Sequence, residues 1–546
     1  MVQMPTAEEF AALQKALADA MGELRMVTTE RDLALERLRA LQGQLFAAKS
    51  EARGTDQKDL FLNEAEALAP TAKTPPAESD DEESTPVAGH QRKKRGRKPM
   101  DPALPRDIVR HELPESERVC AHDGHGLVEI GAEVSEQMHV IPEQVRVLQH
   151  HRIKYACPCC DLSLKVAPTP ARIIPRGLLT EEAQAWVITG KYQFGMPLYR
   201  TAVLLRRFGG DIASNALAAG VVRIGQAVQP IINLLRDHLL DSDLIYGDET
   251  TVQVLKEPGR KAQTKSYMWA QMNGSGPPVR LFAYAPGRGT EHARKLYAGI
   301  RRGATLVSDG YQVYDGIAAE YGLTHLGCWT HARRSFIKAE EAIPKAARSP
   351  DQLATRFIKL IGKLYRAEAL AKAWTPQRRQ RLRARYSAAV VRQIEQLLLA
   401  NLHAVAPSSL LGEALHYLHG QWSKLVRFLD NGAWPLDTNP VENAIRPFVV
   451  GRKGWLFADT VGGANASANL YSLIETAKAN GVEPYRYLVA LFKKLPLAQT
   501  ADDYEALLPW NIFPLTTETS VEQQRTVNVG GQSRTIPPMP ECIDGQ

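Results

Sequence analysis

The sequence predicts a multidomain α+β protein, and three observations carry that prediction. The opening fifty residues of the 546 space their apolar side chains at alternating steps of three and four. Residues 239–335 interleave short apolar β-type runs with helical stretches, and the segments on either side, 169–238 and 336–430, are helix-patterned. A chain of this length has material for roughly three or four domains. Its formal net charge of +7 is mild, but the basic residues are unevenly placed, which points to a polyanionic partner. No uninterrupted apolar stretch is long enough to span a bilayer and no leader-like segment opens the chain, so a cytoplasmic location without a membrane partner is expected. Six cysteines, three of them gathered at Cys157, Cys159 and Cys160, do not resemble a disulfide framework and fit metal binding in a reducing compartment.

Residues 1–50 read as a leucine-zipper-like coiled coil. Phe10, Leu13, Leu17, Ala20, Leu24, Val27, Arg31, Ala34, Leu38, Leu41 and Leu45 hold the spacing, with Arg31 the one charged intruder. The pattern implies a homo-oligomer; a single amphipathic helix packed on the body would use the same face, and Ala20 and Ala34 weaken the seam. Residues 51–105 read as a disordered linker with an acidic run at 78–83 and a basic run at 92–99. Within it Arg95, Gly96 and Arg97 followed by Lys98 and Pro99 resemble an AT-hook core, whose extended arginines enter a narrow minor groove; a solvated basic stretch is the plainer alternative. Either version binds phosphates in a salt-sensitive way.

Residues 106–168 offer a zinc-finger-like or zinc-ribbon-like module holding a structural Zn²⁺. Cys157 and Cys160 form a Cys-x-x-Cys knuckle, and Cys120 lies 37 residues upstream of it. The fourth ligand is open among Asp123, His122, His125 and Cys159, and a metal-free β-ribbon is the alternative. Residues 169–238 predict three helices: one capped by Thr180, one starting at Pro197 and one capped by Ser214 after the turn Gly209-Gly210-Asp211. This is a helix-turn-helix-like DNA-binding region with Arg200, Arg206 and Arg207 as candidate contacts, although an ordinary helical bundle has the same spacing.

Residues 239–335 predict strands at 243–255, 266–272 and 279–285, a helix near 291–297, a strand at 304–307, another at 324–328 and a helix from 331. That order is the order of a ribonuclease H-like α/β core. Residues 336–430 then read as an all-helical insertion, residues 431–480 as the second part of the core, and residues 481–546 as a C-terminal element and tail. The arginine-rich run at 378–385 within the insertion is most simply an exposed helix face.

Three acids carry the chemistry: Asp248 in LIYGDETTVQVL, Asp309 in GATLVSDGYQVY and Glu442 in LDTNPVENAIRPF. The first two sit in or just after apolar β-type runs, where a charge is costly unless it meets a cation or water. The third falls in the first turn of a helix, with Asn439 as N-cap and Pro440 as first helical residue. Mg²⁺ or Mn²⁺ takes oxygen ligands from one or two carboxylates plus substrate phosphates, and two such ions serve in-line phosphoryl transfer. Singly, each acid is as well explained as a turn, cap or capping-box residue. His331, Arg333 and Arg334 follow the last core strand, and Arg446, Arg452 and Lys453 follow Glu442; each is a candidate DNA-phosphate contact or a structural ion-pair partner. Trp455 is either a core residue or a stacking platform for an unpaired base.

The stretches YACPCCD, IYGDET, LVSDGYQVYD, GCWTHARRSF, DTNPVENAIRPF, GRKGWLF and ANGVEPYRYL together resemble the long transposase of the insertion-sequence sixty-six family, a bacterial DDE group, along nearly the whole chain. The resemblance implies a leucine-zipper-like start, a zinc-finger-like module, a helix-turn-helix region and a catalytic core with an inserted helical domain. It implies Asp248, Asp309 and Glu442 as catalytic acids holding two Mg²⁺ or Mn²⁺ ions. It also implies DNA as partner, in the form of terminal inverted repeats and target, with companion proteins from the same element. Two positions depart from the pattern: Asp123 stands where a second cysteine would complete the upstream knuckle, and Asn443 follows the glutamate where some relatives carry arginine. The implied reaction is cleavage at the element ends followed by attack of the freed 3′ hydroxyl on target DNA. The alternatives are a ribonuclease H-like nuclease that cuts without joining and a catalytically inactive DNA-binding regulator.

Overall fold

A computed structural model describes residues 7–46, 145–156, 164–166, 168–344 and 347–512. The chain divides into two compact units, residues 1–47 with 147–546 and residues 48–146. The AT-hook-like Arg95, Arg97 and Lys98 lie outside the described residues, as do the zinc candidates Cys120, His122, Asp123, His125, Cys157, Cys159 and Cys160.

Helix α1 (Ala7–Phe46) is continuous over the heptad stretch. Its seam residues Leu17, Leu24, Val27 and Leu38 are exposed, so the described part of the chain does not cover them. Strands β1 (Lys154–Ala156) and β2 (Leu164–Val166) pair antiparallel, with Tyr155 opposite Lys165, and bracket the cysteine-rich stretch. Four helices follow: α2 (Glu181–Tyr192), α3 (Leu198–Arg207), α4 (Ser214–Ala227) and α5 (Gln229–Leu240). Thr180 caps α2 as its sequence predicts, accepting from Ala183 N at 3.3 Å. The expected cap at Ser214 is corrected by one position: extended backbone at Ala213 starts the helix there, so Ser214 is its first residue and makes no capping bond. No single helix among the described residues is long and apolar enough to cross a membrane.

Next come β3 (Leu244–Lys256), β4 (Lys265–Asn273), β5 (Arg280–Ala285), α6 (Thr290–Tyr297), β6 (Thr305–Val307), α7 (Gln312–Tyr321), β7 (Thr324–Leu326) and α8 (Trp329–Glu341). The strands form one sheet in the order β5-β4-β3-β6-β7. The first three are antiparallel neighbours, and β6 and β7 extend the sheet parallel to β3.

An all-helical stretch then runs through α9 (Leu353–Leu370), α10 (Pro376–Leu382), a π-helical turn over Arg383–Ser387, α11 (Ala388–Asn401), α12 (Leu410–Leu425) and a 3₁₀ turn over Val426–Leu429. With α8 it closes around an apolar core of its own, in which Phe336 and Phe357 stack at 4.3 Å. Arg383, fully buried, fastens this core to the loop that follows it. It pairs with both Glu368 oxygens at 2.8 and 2.7 Å and donates to the carbonyls of Phe428, Asn431 and Trp434.

The chain returns to the sheet as α13 (Asn439–Trp455), β8 (Ala458–Thr460) and α14 (Val461–Ala479), and ends in α15 (Pro484–Lys494), α16 (Ala501–Glu505) and α17 (Pro509–Ile512). Strand β8 lies parallel to the far half of β3, with Ala458 opposite Val254; three residues are too few to leave a period-two signal in the sequence. Helix α14 lies on β5, where Ser472 and Thr476 bond Phe282 N at 2.8 Å and Arg280 N at 3.0 Å. The i, i+4 rise of a helix, about 6 Å, nearly matches two residues of a strand, so two hydroxyls satisfy backbone groups that an edge strand leaves open.

Replacing Glu368 by alanine leaves the Arg383 guanidinium buried without its counter-charge, so urea denaturation should report a loss of roughly 3–5 kcal/mol. An unchanged midpoint would show that the buried pair does not hold the helical stretch together.

Candidate active site

Strand β3 turns alternate side chains to opposite faces, and its two faces have different neighbours. Gly247 and Glu249 face α6 and α7. A Cβ at Gly247 would lie 2.2 Å from the Tyr297 hydroxyl, so this position admits only glycine, and Glu249 Oε2 accepts from the Tyr314 hydroxyl at 2.7 Å. Tyr246, Asp248 and Thr250 face α13. The Asp437 carboxylate, just before α13, adds to burial in pushing the Tyr246 hydroxyl up to about 12, and Arg452 donates to Thr250 Oγ1 at 3.3 Å.

Asp309 comes level with Asp248 through strand register. Tyr246 pairs with Val307 in the parallel ladder, and each acid stands two residues further along its own segment. Adjacent strands lie about 4.8 Å apart, so the two carboxylates issue from neighbouring points of the sheet. Asp309 Oδ1 accepts from Tyr311 N at 2.9 Å, a turn that leads into α7. The preceding Ser308 is buried and bonded to His325 Nε2 at 2.8 Å; His325 Nδ1 meets Asp315 at 2.9 Å, and Lys424 of α12 meets the same carboxylate at 2.8 Å. Burial first, then the Lys424 charge, lower His325 to about 4, so the imidazole is neutral, donates from Nδ1 and accepts from Ser308. With Ser308 shut away from solvent, this line braces the strand end that carries Asp309 and ties it to the helical stretch.

Glu442 reaches the region on α13, which packs on β3 and β4. The helix starts at Asn439 behind Thr438, which corrects the expected cap at Asn439. The reason is Asp437, which accepts both the Asn439 backbone N–H at 3.1 Å and its side-chain amide at 2.8 Å. Thr438 turns its hydroxyl to Glu442 Oε1 at 3.1 Å and Cys328 Sγ at 3.1 Å; its single proton serves one of them at a time. Arg334 pairs with Glu442 Oε2 at 2.7 Å, and His331 Nδ1 stands 3.8 Å from Oε1 without a hydrogen-bond partner of its own. Ligand atoms of Cys328, His331 and Glu442 lie within 4.8 Å of one another. Burial raises the Cys328 thiol to about 11, which keeps it neutral.

Asp248 is pushed up to about 7 by burial first, then by Glu249 beside it and, less strongly, by Asp309 and Glu442; a backbone bond from Glu249 N at 2.8 Å opposes the rise. Asp248 and Asp309 offer oxygens only, which fit a hard divalent cation that would remove their repulsion, whereas Glu442 is grouped with Cys328 and His331, and the three acids do not all lie within 4.8 Å of one another.

Of the remaining candidates, Arg452 bonds Thr250 and Thr251, Lys453 is exposed, Arg446 lies one turn beyond Glu442, and Arg333 is partly buried on α8. Arg206 is paired with Asp211 at 3.2 Å, Arg200 donates to Tyr199, and Arg207 is exposed; these three lie on α3, apart in sequence from the acids. Sequence reasoning passes over Glu249, Asp437 and Cys328. The paired acids of GDET and the Cys-x-x-His spacing of GCWTH were the signals available.

The elevated Asp248 fixes a pH dependence. Its folded value lies above the ordinary aspartate range, so the folded state holds the proton more tightly, and metal-free stability falls as the pH rises from about 4 through about 7. At pH 8 without metal, Asp248→Asn should melt a few degrees above the parent, while at pH 4 the two should coincide. Equal melting temperatures at both pH values would mean that Asp248 carries no such strain.

Residues 176–466, more than half of the chain, match the family model described as Transposase IS66 family. Residues 472–510 match the IS66 C-terminal element, 117–161 the zinc-finger binding domain of transposase IS66, and 34–109 a model described as Transposase C of IS166 homeodomain. Among curated relatives, y4qI of Sinorhizobium fredii, an uncharacterized protein, is 30% identical over 93% of this chain and 95% of its own length. Its companion y4jD from the same organism is 29% identical over 75% of this chain and 81% of its own. A solved structure, the Drosophila P element transposase strand transfer complex, aligns with 57% of this chain and 94% of its own at 12% identity, with a TM-score of 0.31. Family membership brings DNA as partner, a zinc-finger domain and use of a divalent metal. The chain belongs to the transposase IS66 family.

Proposed function

We propose that the protein is an active DDE transposase whose catalytic acids are Asp248, Asp309 and Glu442, and that it cuts at the terminal inverted repeats of its element and joins the freed 3′ hydroxyl to target DNA. The observation that carries this reading is the parallel register that sets Asp248 beside Asp309 under the helix bearing Glu442. The sheet order, with three antiparallel strands followed by two parallel ones, supports a ribonuclease H-like core. The separate apolar cluster of the helical stretch supports its reading as an insertion between the second and third acids.

Asp248 and Asp309 would supply oxygens from neighbouring strand ends, and Glu442, grouped here with Cys328 and His331, would turn toward them from α13 to complete the set. A pair of Mg²⁺ or Mn²⁺ ions bound there would activate the attacking oxygen and offset charge on the leaving one. Arg334 holds Oε2 of the Glu442 carboxylate, and Thr438 meets Oε1, with His331 3.8 Å from that same oxygen. Because Asp248 keeps its proton up to about 7, metal affinity should climb as the pH rises through that value. No serine or tyrosine nucleophile is required, since water and then a 3′ hydroxyl attack the phosphodiester. The proposed structural Zn²⁺ of the Cys120, Asp123, Cys157 and Cys160 module and the proposed oligomer through α1 would assemble and position the DNA-bound complex, with companion proteins from the same element taking part.

Asp248→Asn, Asp309→Asn and Glu442→Gln, each folded and still bound to a duplex carrying the element end, should each lose Mg²⁺-dependent cleavage by roughly a thousandfold. Cleavage retained in Asp248→Asn refutes the reading. Cleavage without strand-transfer products in the parent identifies a nuclease that does not join, and DNA binding with no metal-dependent cleavage identifies a regulator.

A further inference from the structure

The C-terminal end of α13 presents a surface that the catalytic reading leaves unused. Among the described non-glycine residues only Arg176 and Leu456 have positive φ. Leu456 sits at φ 65° and ψ −53°, and Phe457 N donates to Trp455 O at 2.9 Å across it. This is the positive-φ γ-turn, rare and strained for a residue with a Cβ. Burial does not offset the strain, because Leu456 is 62% exposed and Phe457 41% exposed. Two large apolar side chains held outward on a strained turn lose by facing water and gain only when something covers them. Trp455, the aromatic that the sequence offers for base stacking, is already engaged: it packs edge-on against Phe448 at 5.4 Å, and the Lys191 ammonium lies 4.9 Å over its ring.

The charges around this turn favour a polyanion. Among the described residues Arg452 bonds the hydroxyls of Thr250 and Thr251, each at 3.3 Å, and no carboxylate, and Lys453 is exposed. The carboxylate of the segment, Asp459, is taken by Lys256 at 2.9 Å. The turn also has a defined place relative to the acids. It joins the helix of Glu442 to β8, and β8 runs parallel to β3 with Ala458 opposite Val254. The turn leads directly into Ala458, and Val254 opposite it stands six residues along β3 from Asp248, or about 20 Å at the strand rise. That is about six base steps of a duplex at 3.4 Å each.

We propose that Leu456 and Phe457 form an apolar wedge that enters the base stack of a bound DNA duplex while Arg452 and Lys453 hold its phosphates, unstacking the end on which the carboxylates act. Leucine and phenylalanine wedges open a base step at the cost of its stacking, and the backbone contacts made by the distorted duplex offset that cost. The proposal rests on the DNA-cleaving function above, but its signature is unstacking and can be read without cleavage.

The test uses the full chain and a duplex carrying the terminal repeat of its element, with 2-aminopurine at successive positions near the end. Fluorescence should rise on binding at one or two adjacent positions about six base pairs from the cut. Leu456→Gly, which relieves the turn while removing the side chain, and Phe457→Ala should abolish that rise and weaken binding by only about threefold, and they should slow cleavage of intact duplex by about tenfold or more. Phe457→Leu should keep the rise, and a substrate already unpaired at those positions should restore cleavage by the Ala and Gly variants. Asp248→Asn should show the full fluorescence rise without cleavage, which separates failure of the catalytic reading from failure of the wedge. The proposal is overturned if the rise is unchanged in Leu456→Gly and Phe457→Ala, or if their defects are equal on paired and unpaired substrates. It is also overturned if these variants change the oligomeric state in light scattering instead, since the turn would then be a contact between copies.

Discussion

Tyr246 lies opposite Val307 in a parallel ladder, and two residues beyond each stand Asp248 and Asp309. Much of the architecture around the site maintains that pairing. Gly247 leaves room for the Tyr297 hydroxyl, so β3 keeps its course past α6 and α7, and Gly310 leaves room for Tyr417 of α12, whose Cε2 would be 2.8 Å from a Cβ there. Ser308, His325, Asp315 and Lys424 brace the end of β6 from behind in one hydrogen-bonded line. Without these contacts two acids on adjacent strands would spread apart, since burial and mutual repulsion both oppose their charges.

The helical stretch is joined to this centre by more than chain connectivity. Lys424 binds Asp315, Arg427 donates to the His325 carbonyl at 2.9 Å, and Trp329 Nε1 donates to the Leu425 carbonyl at 2.8 Å. Arg383 in turn holds the loop that leads to α13. A displacement of the helices would therefore be felt at the end of β6 and at the entry to the helix of Glu442.

Much of the sheet and its order was legible in the sequence, because each strand is flanked by turn residues and its apolar run differs in period from the helices beside it. The limits of β3, β4 and α6 fall within one residue of expectation. Strand β8 was not legible, since three residues carry no periodicity and its pairing with β3 depends on where α13 ends. At the helix starts, Ser214 and Asn439 are favourable cap types, yet in each case the cap falls on the preceding residue, set by extended backbone at Ala213 and by Asp437 at the second site.

The sequence by itself determined which residues carry charge in apolar surroundings. Asp248 and Asp309 stand out because acids in or just after apolar β-type runs need a reason, and NPVEN supplies the helix-start signal that carries Glu442. It could not determine that Glu249 faces away from Asp248 toward Tyr314, that Thr438 stands between Glu442 and Cys328, or that Trp455 is occupied while Leu456 and Phe457 stand in solvent. Those facts follow from register between strands and from packing between helices distant in sequence. Local sequence fixes the period of an element, but only the fold decides which neighbour each face meets.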